Sequence, residues 1–204
     1  MADKKTIDSY NKIAEEFSLR NSVTIYGEKY QDFKNFISGN KVLDIGCGSG
    51  RDGVELIKLV FDHTGLDASE SMIYAAKQRI KDGKFVLGDF FSLSFPDESF
   101  DGFWAAASFL HVPKKDIDLV LREAKRILKK NGIGFISLKK KLNLDEGVIK
   151  ESKAGGIERY FSFYEEEEFR KILERNRFEV LKVTHQIEND EIKTNWLCYF
   201  VRKN

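Results

Sequence analysis

The side chains of this sequence that could do chemistry stand behind short apolar runs. Val42-Leu43-Asp44-Ile45 leads into Gly46-Cys47-Gly48-Ser49-Gly50, an apolar run with an acidic residue near its end and alternating glycines after it. Glycines so spaced let a ligand come close to the main chain, because no side chain stands in between. A ligand of nucleoside type suits such a loop. Further on, Asp67 follows Thr64-Gly65-Leu66, Asp89 follows Phe85-Val86-Leu87-Gly88, and His111 ends Ser108-Phe109-Leu110.

Two glycine frames coexist, since Gly48, Gly50 and Gly53 also satisfy GxGxxG, and Asp67 lies roughly twenty residues on in either frame. Spacing does not choose between them, but charge does. A pyrophosphate is repelled by Asp44, whereas a sulfonium nucleoside carries positive charge and no phosphate. The loop therefore favours S-adenosylmethionine over NAD as cofactor. Asp67 stands where a carboxylate can accept both ribose hydroxyls, one on each oxygen. Asp89 suits the adenine amino group, with Phe90 over the ring; turn former and core residue are their plain alternatives. For Cys47 a small packing role is the expectation, not a nucleophile.

These groups need strand ends to stand on. Ile7, Tyr10, Ile13, Ala14 and Phe17, then Ile25, Phe33, Phe36 and Ile37, follow helical spacing and predict two helices before the first strand. Lys41–Ile45 is that strand, and Val54 to Val60 read as the buried side of a helix. A strand near Val60–Leu66, a helix over Ser69–Lys81, and strands at Lys84–Leu87 and Phe100–Ala106 come next. A helix over Asp116–Lys130, stopped by Asn131-Gly132, precedes a strand at Gly134–Leu138. Residues 139–163 look irregular. A charged helix, Glu165–Arg175, then leads to strands Phe178–Thr184 and Trp196–Arg202, paired as a hairpin. Alternating strands and helices predict an α/β fold with a mostly parallel sheet covered on both faces.

Composition narrows the function classes. At 204 residues, 42% hydrophobic and 33% charged, the chain fits one globular domain, residues 1–204, with residues 1–39 as N-terminal helices that cover the site. Thirty-four basic and 33 acidic residues leave a net charge of +1, which gives a nucleic-acid partner no support. Two distant cysteines and three histidines without metal-site spacing predict no structural metal. The opening residues lack an apolar signal segment and no membrane-length apolar run follows, so a cytoplasmic monomer or homodimer is expected.

Val42–Gly50, Gly65-Leu66-Asp67, Gly88-Asp89 and Phe100-Asp101-Gly102-Phe103-Trp104-Ala105 occur in the order seen in class I S-adenosylmethionine-dependent methyltransferases, which the chain resembles from about Tyr10 onward. The stretch Trp104 to Pro113, with Arg159-Tyr160-Phe161 and Trp196-Leu197, is similar to a small-molecule branch related to tellurite-resistance enzymes. The resemblance implies a Rossmann-like seven-stranded sheet whose last strand inserts antiparallel. It also implies that Gly46, Gly48 and Gly50 approach the methionyl and ribose parts. Asp67 would meet the ribose, Met72 and Phe90 the adenine faces, and Asp89 the adenine edge, with Ala68 a further cofactor contact. Ala105 and Ala106 would border the methionyl group, where relatives often carry a serine or a charged residue. Tyr10 resembles an aromatic that caps the cofactor from an N-terminal helix, with core packing as its alternative. Arg51 is either a contact for the methionyl carboxylate or an exposed helix start.

The expected reaction moves the sulfonium methyl to an O, N or S atom of a small-molecule acceptor. His111 is the candidate catalytic base or substrate contact, against a purely structural role. Lys139, Lys140, Lys141, Arg159, Tyr160 and Tyr164 follow the fifth strand and suit an anionic or aromatic substrate, although a solvated basic turn explains the lysines as well. The alternatives are a transfer-RNA-modifying enzyme of the wobble-uridine type and a non-catalytic partner subunit that binds the cofactor. An NAD-dependent oxidoreductase stands further off.

Overall fold

The computed structural model describes residues 3–151, 156–188 and 194–204. Helices α1 (Lys4–Arg20) and α2 (Lys29–Phe36) precede β1 (Lys41–Ile45), after which α3 (Arg51–Lys58), β2 (Asp62–Asp67), α4 (Glu70–Arg79), β3 (Lys84–Leu87) and β4 (Phe100–Ala106) follow. Helix α5 (Ile117–Ile127), β5 (Leu128–Lys139), β6 (Glu146–Glu151), β7 (Ile157–Ser162), α6 (Glu166–Arg175), β8 (Phe178–Ile187) and β9 (Asn195–Lys203) complete the order.

Seven strands form one sheet in the order β3-β2-β1-β4-β5-β9-β8. β9 runs antiparallel to both β5 and β8, while β1 to β5 are parallel neighbours. This is the Rossmann-like sheet that the resemblance implies, with its last strand inserted antiparallel. The strand order reverses between β1 and β4, and at such a switch point the crevice beyond the carboxyl ends of the strands is where ligands bind.

The helices start where their sequences provide caps. Asp3 accepts from the Thr6 N–H at 2.8 Å to open α1, and Ser69 Oγ accepts from the Met72 N–H at 3.1 Å to open α4. Glu165 and Glu168 form a reciprocal capping box on α6. Beneath the crevice, Trp104 of β4 stacks on Tyr30 of α2 and on Phe135 of β5, with ring centroids 4.6 and 3.8 Å away. This aromatic stack clamps α2 to the middle of the sheet.

Two elements differ from the sequence expectation. The helix expected to reach Lys130 ends at Ile127, because Leu128 turns to extended geometry, is wholly buried, and pairs with Phe100 of β4. Asn131, with φ of 61°, then makes a left-handed kink inside β5 instead of stopping a helix. Within residues 139–163, read as irregular, β6 and β7 pair antiparallel as a separate two-stranded sheet.

Candidate functional site

Residues from α1, the β1, β2 and β4 loops, the end of β5, and β7 enclose a cavity of about 850 Å³. That lies in the upper part of the roughly 300–1,000 Å³ range of small-ligand sites. At one end the wall is Gly46 to Ser49, Asp67 to Ser69, Met72 and Phe90. At the other it is His111, Lys139, Arg159, Phe161, Phe163 and Trp196. Helix α1 forms a side of the cavity through Thr6, Ile7, Tyr10 and Phe17. Asn11 Oδ1 holds that helix to the start of α4, accepting from Ser69 Oγ at 2.7 Å and from the Ser71 N–H at 3.2 Å.

The glycine loop is built around Asp67. Its Oδ2 accepts from the Gly48 N–H and its Oδ1 from the Ser69 N–H, both at 2.9 Å. Each oxygen keeps a second lone pair, so the carboxylate still has the capacity to accept from two adjacent hydroxyls. Burial raises the Asp67 carboxyl to about 6, against the backbone donors of Ser69 and Gly48, which favour the charged form. Gly48 has φ of 52°, and a Cβ placed on it meets nothing within 4 Å. The loop thus presents an open, side-chain-free surface toward the cavity.

Beyond β4 the chain turns through Ala107, whose φ of 54° is unusual for a residue with a Cβ. Ser137 of β5 supports the turn: its Oγ accepts from the Ala107 N–H at 2.9 Å and lies 2.7 Å from the Tyr26 hydroxyl. The next residue, Ser108, lines the cavity with a buried hydroxyl that has no protein partner. A buried polar group in that state is costly unless something in the cavity bonds to it. The open face of Gly48, the two spare acceptor positions of Asp67 and the Ser108 hydroxyl suit the polar periphery of a nucleoside with an amino-acid tail.

At the far end, the Tyr160 carbonyl lies 2.6 Å from His111 Nδ1, and the Tyr10 hydroxyl lies 2.9 Å from Nε2. A carbonyl only accepts, so Nδ1 carries the proton and Nε2 accepts from Tyr10. Arg159 Nη1 donates to the same Tyr10 oxygen at 2.7 Å. Burial, followed by the charges of Arg159 and Lys139, pushes the His111 imidazole down to about 3, against the Tyr160 hydrogen bond. It is therefore a neutral ring with both nitrogens engaged. In this geometry both ring nitrogens of His111 are engaged, and Nε2 holds the Tyr10 hydroxyl.

Of the expected site residues, Tyr10, Gly46, Gly48, Asp67, Ala68, Met72, Phe90 and His111 line the cavity. Asp44, Gly50, Asp89 and Ala105 lie outside its wall. Asp44 is buried beneath the loop, 3.4 Å from His63 Nε2, and burial raises its carboxyl. Any effect of Asp44 on a ligand is transmitted through the loop and not by contact. Gly50 precedes α3, Asp89 accepts from the Phe91 N–H at 3.0 Å, and Ala105 is packed in the core while Ala106 and Ala107 reach the cavity. Arg51 lines the cavity and pairs with Asp52 through both Nε and Nη2 at 2.9 Å. Cys47 is buried and its thiol is pushed well up by burial, which removes a nucleophilic role. Ser108, Ser137 and Asn11 were missed, because a single serine or asparagine in these contexts carries no local signal. Among the described residues no cluster of three or more His, Cys, Asp or Glu is placed to hold a metal ion.

Comparison with known proteins agrees with this architecture. Residues 42–132 match the family described as methyltransferase domain. Over 138 residues the chain is 36% identical to the demethylmenaquinone methyltransferase of Thermotoga maritima, covering 63% of this chain and 59% of that protein. The chain thus spans less than two thirds of that curated relative's length. A S-adenosylmethionine-dependent methyltransferase from Methanosarcina mazei superposes with a TM-score of 0.75 at 21% identity, covering 84% of this chain and 96% of that one. The Burkholderia thailandensis 1,6-didemethyltoxoflavin-N1-methyltransferase, solved with bound 1,6-didemethyltoxoflavin and S-adenosylhomocysteine, superposes with a TM-score of 0.76 at 16% identity, covering 97% of this chain and 85% of that one. Residues 42–132 are thus similar to a methyltransferase domain, and the chain shares its fold with solved proteins described as S-adenosylmethionine-dependent methyltransferases.

Proposed function

We propose that the protein binds S-adenosylmethionine at the Asp67 end of the cavity and transfers its methyl group to an O, N or S atom of a small molecule held at the Arg159 end. The observation that carries this reading is the loop in which Asp67 anchors the Gly48 N–H and keeps two acceptor positions beside an open backbone surface. When bound, the sulfonium supplies an electrophilic methyl. The protein's part is to hold an acceptor in line with it and to exclude water. Gly46 and Gly48 would admit the cofactor to the main chain, Asp67 and Ala68 would hold the ribose, and Met72 and Phe90 would flank the adenine. Tyr10 and helix α1 would close the side of the cavity.

A small molecule is favoured because two of the proteins named above are, by name, a demethylmenaquinone methyltransferase and a 1,6-didemethyltoxoflavin-N1-methyltransferase, and because the net charge is only +1. Continuation of the cavity past the cofactor end to Phe161 and Trp196 supports an enzyme over a non-catalytic partner, whose acceptor side would be filled. No helix among the described residues is long and apolar enough to cross a membrane, and a cytoplasmic location is proposed with that in mind. Incubation with methyl-labelled S-adenosylmethionine and separate small-molecule and transfer-RNA fractions tests the proposal. Label is expected in the small-molecule fraction; label confined to transfer RNA would overturn the acceptor class.

The raised carboxyl of Asp67 sets a pH dependence. Its folded value, about 6, is above the ordinary 3.8. In the ligand-free protein its contribution to stability is therefore fully present below about pH 4 and is lost as pH rises through about 6. Cofactor binding has the opposite sign, because ribose hydroxyls donate to the ionised form. Affinity for S-adenosylhomocysteine is expected to be level above about pH 7 and to fall by up to about tenfold per unit below 6. Titrations by intrinsic fluorescence between pH 5 and 8 check this, and a flat profile would remove Asp67 from the binding step.

A further inference from the structure

We infer that the Ser108 hydroxyl accepts a hydrogen bond from the ammonium group of the cofactor's amino-acid tail. This rests on the methyl-transfer reading above and assigns a further binding residue to the same cavity.

The hydroxyl stands where a bound molecule would complete it. Ser108 lines the cavity at 4% exposure, and its Oγ has no hydrogen-bond partner among the described residues. Buried hydroxyls of folded proteins are nearly always bonded, so an orphan at a cavity wall marks a group that a ligand satisfies. Its position is tightly fixed. Ala107 before it holds a left-handed φ of 54°, Ser137 Oγ accepts from the Ala107 N–H at 2.9 Å, and the Ser108 carbonyl accepts from the His111 N–H at 3.0 Å. Strain retained at a ligand cavity is a mark of a group being aimed. A Cβ added to Gly46 would overlap Ser108 Cβ and lie 3.2 Å from Oγ, so the hydroxyl rests directly against the first glycine of the loop. Ala105, Ala106 and Ala107 bring no polar side chain to the end of β4, which leaves Ser108 as the first one there.

The charges around this point favour a cation. Asp44 is buried beneath the loop and Asp67 anchors it through the Gly48 N–H. Burial first, and then the charges of Asp44, Asp67 and Asp52, hold the thiol of Cys47, next to Gly46, well up. Arg51 also lines the cavity, but its Nε and Nη2 are given to Asp52. A hydroxyl oxygen accepts from an ammonium in a charge-assisted bond, stronger than one from a neutral donor. A carboxylate at the same place would meet Asp44 and Asp67 as like charges.

The test titrates the full chain and its Ser108→Ala variant, at about pH 7, with three ligands: S-adenosylhomocysteine, its decarboxylated analogue that keeps the amine, and its deaminated analogue that keeps the carboxylate. Ser108→Ala is expected to weaken the first two by about tenfold or more, as loss of one charge-assisted hydrogen bond does, and the deaminated analogue by less than about twofold. The ligand-free variant should melt no lower than the wild type, because alanine removes an unsatisfied hydroxyl and strands no partner. Unchanged S-adenosylhomocysteine affinity, an equal loss with all three ligands, a loss that follows the carboxylate, or a lower ligand-free melting temperature would overturn the inference while leaving methyl transfer intact. Failure of the wild type to bind S-adenosylhomocysteine would overturn both.

Discussion

Asp67→Ala is expected to abolish the thermal stabilisation that S-adenosylhomocysteine confers on the wild-type protein. Two hydroxyl donors to one ionised carboxylate contribute about 1.5–3 kcal/mol each, so their loss weakens binding by about 10²–10⁴-fold. At a ligand concentration of about 100 times the wild-type Kd, the wild type gains about 2.7 kcal/mol and the variant essentially nothing. The ligand-free variant is expected to stay folded. Removing the carboxylate strands the Gly48 and Ser69 N–H groups, yet it also removes a buried acid whose ionisation is disfavoured. These effects oppose each other, so the melting temperature without ligand should move only slightly. An Asp67→Ala protein that keeps the full ligand-induced shift would place the nucleoside elsewhere.

The two loop glycines should separate folding from binding. Gly46 has φ of 74°, and a Cβ there would overlap Ser108 Cβ. Gly46→Ala combines a left-handed backbone cost of about 1–2 kcal/mol with overpacking of about 1–3 kcal/mol. A melting temperature lower by about 5–15 °C follows for a chain of this size. Gly48→Ala carries only the backbone cost, because its Cβ meets no protein atom within 4 Å. It is expected to lose about 2–8 °C while weakening S-adenosylhomocysteine by at least about tenfold, since the added methyl occupies ligand space. Melting curves and binding titrations on both variants check the contrast. A Gly48→Ala protein that binds like the wild type would mean that the ligand does not approach that amide.

What could be read in the sequence was local. Val42 to Gly50 is a buried strand followed at once by glycines, and Asp67 ends the next strand, so position along the chain fixed position in space. The facing of Asp44 could not be read this way. A central parallel strand is covered on both sides and shows no polar alternation, so nothing local reveals that Asp44 meets His63 instead of the cavity. The β6–β7 hairpin escaped because Glu146-Gly147-Val148-Ile149-Lys150-Glu151 is mixed in polarity. Its packing against α1, with the Tyr160 N–H donating to Thr6 Oγ1 at 2.9 Å, spans 154 residues of sequence.

The role of His111 shows the same limit. Its placement after β4 was evident, but its partners Tyr10 and Tyr160 come from the first helix and from the hairpin. Only their convergence shows that both ring nitrogens are occupied. Likewise, the support that Ser137 gives to Ala107 and Tyr26 joins three segments with no shared pattern.

Calorimetric titration of the folded protein with S-adenosylhomocysteine, in parallel with NADH, addresses the central claim most directly. One mole of S-adenosylhomocysteine should bind per mole of chain, with NADH giving no saturable heat. Saturable NADH binding, or no binding of S-adenosylhomocysteine to material that melts cooperatively, would contradict the assignment of this cavity.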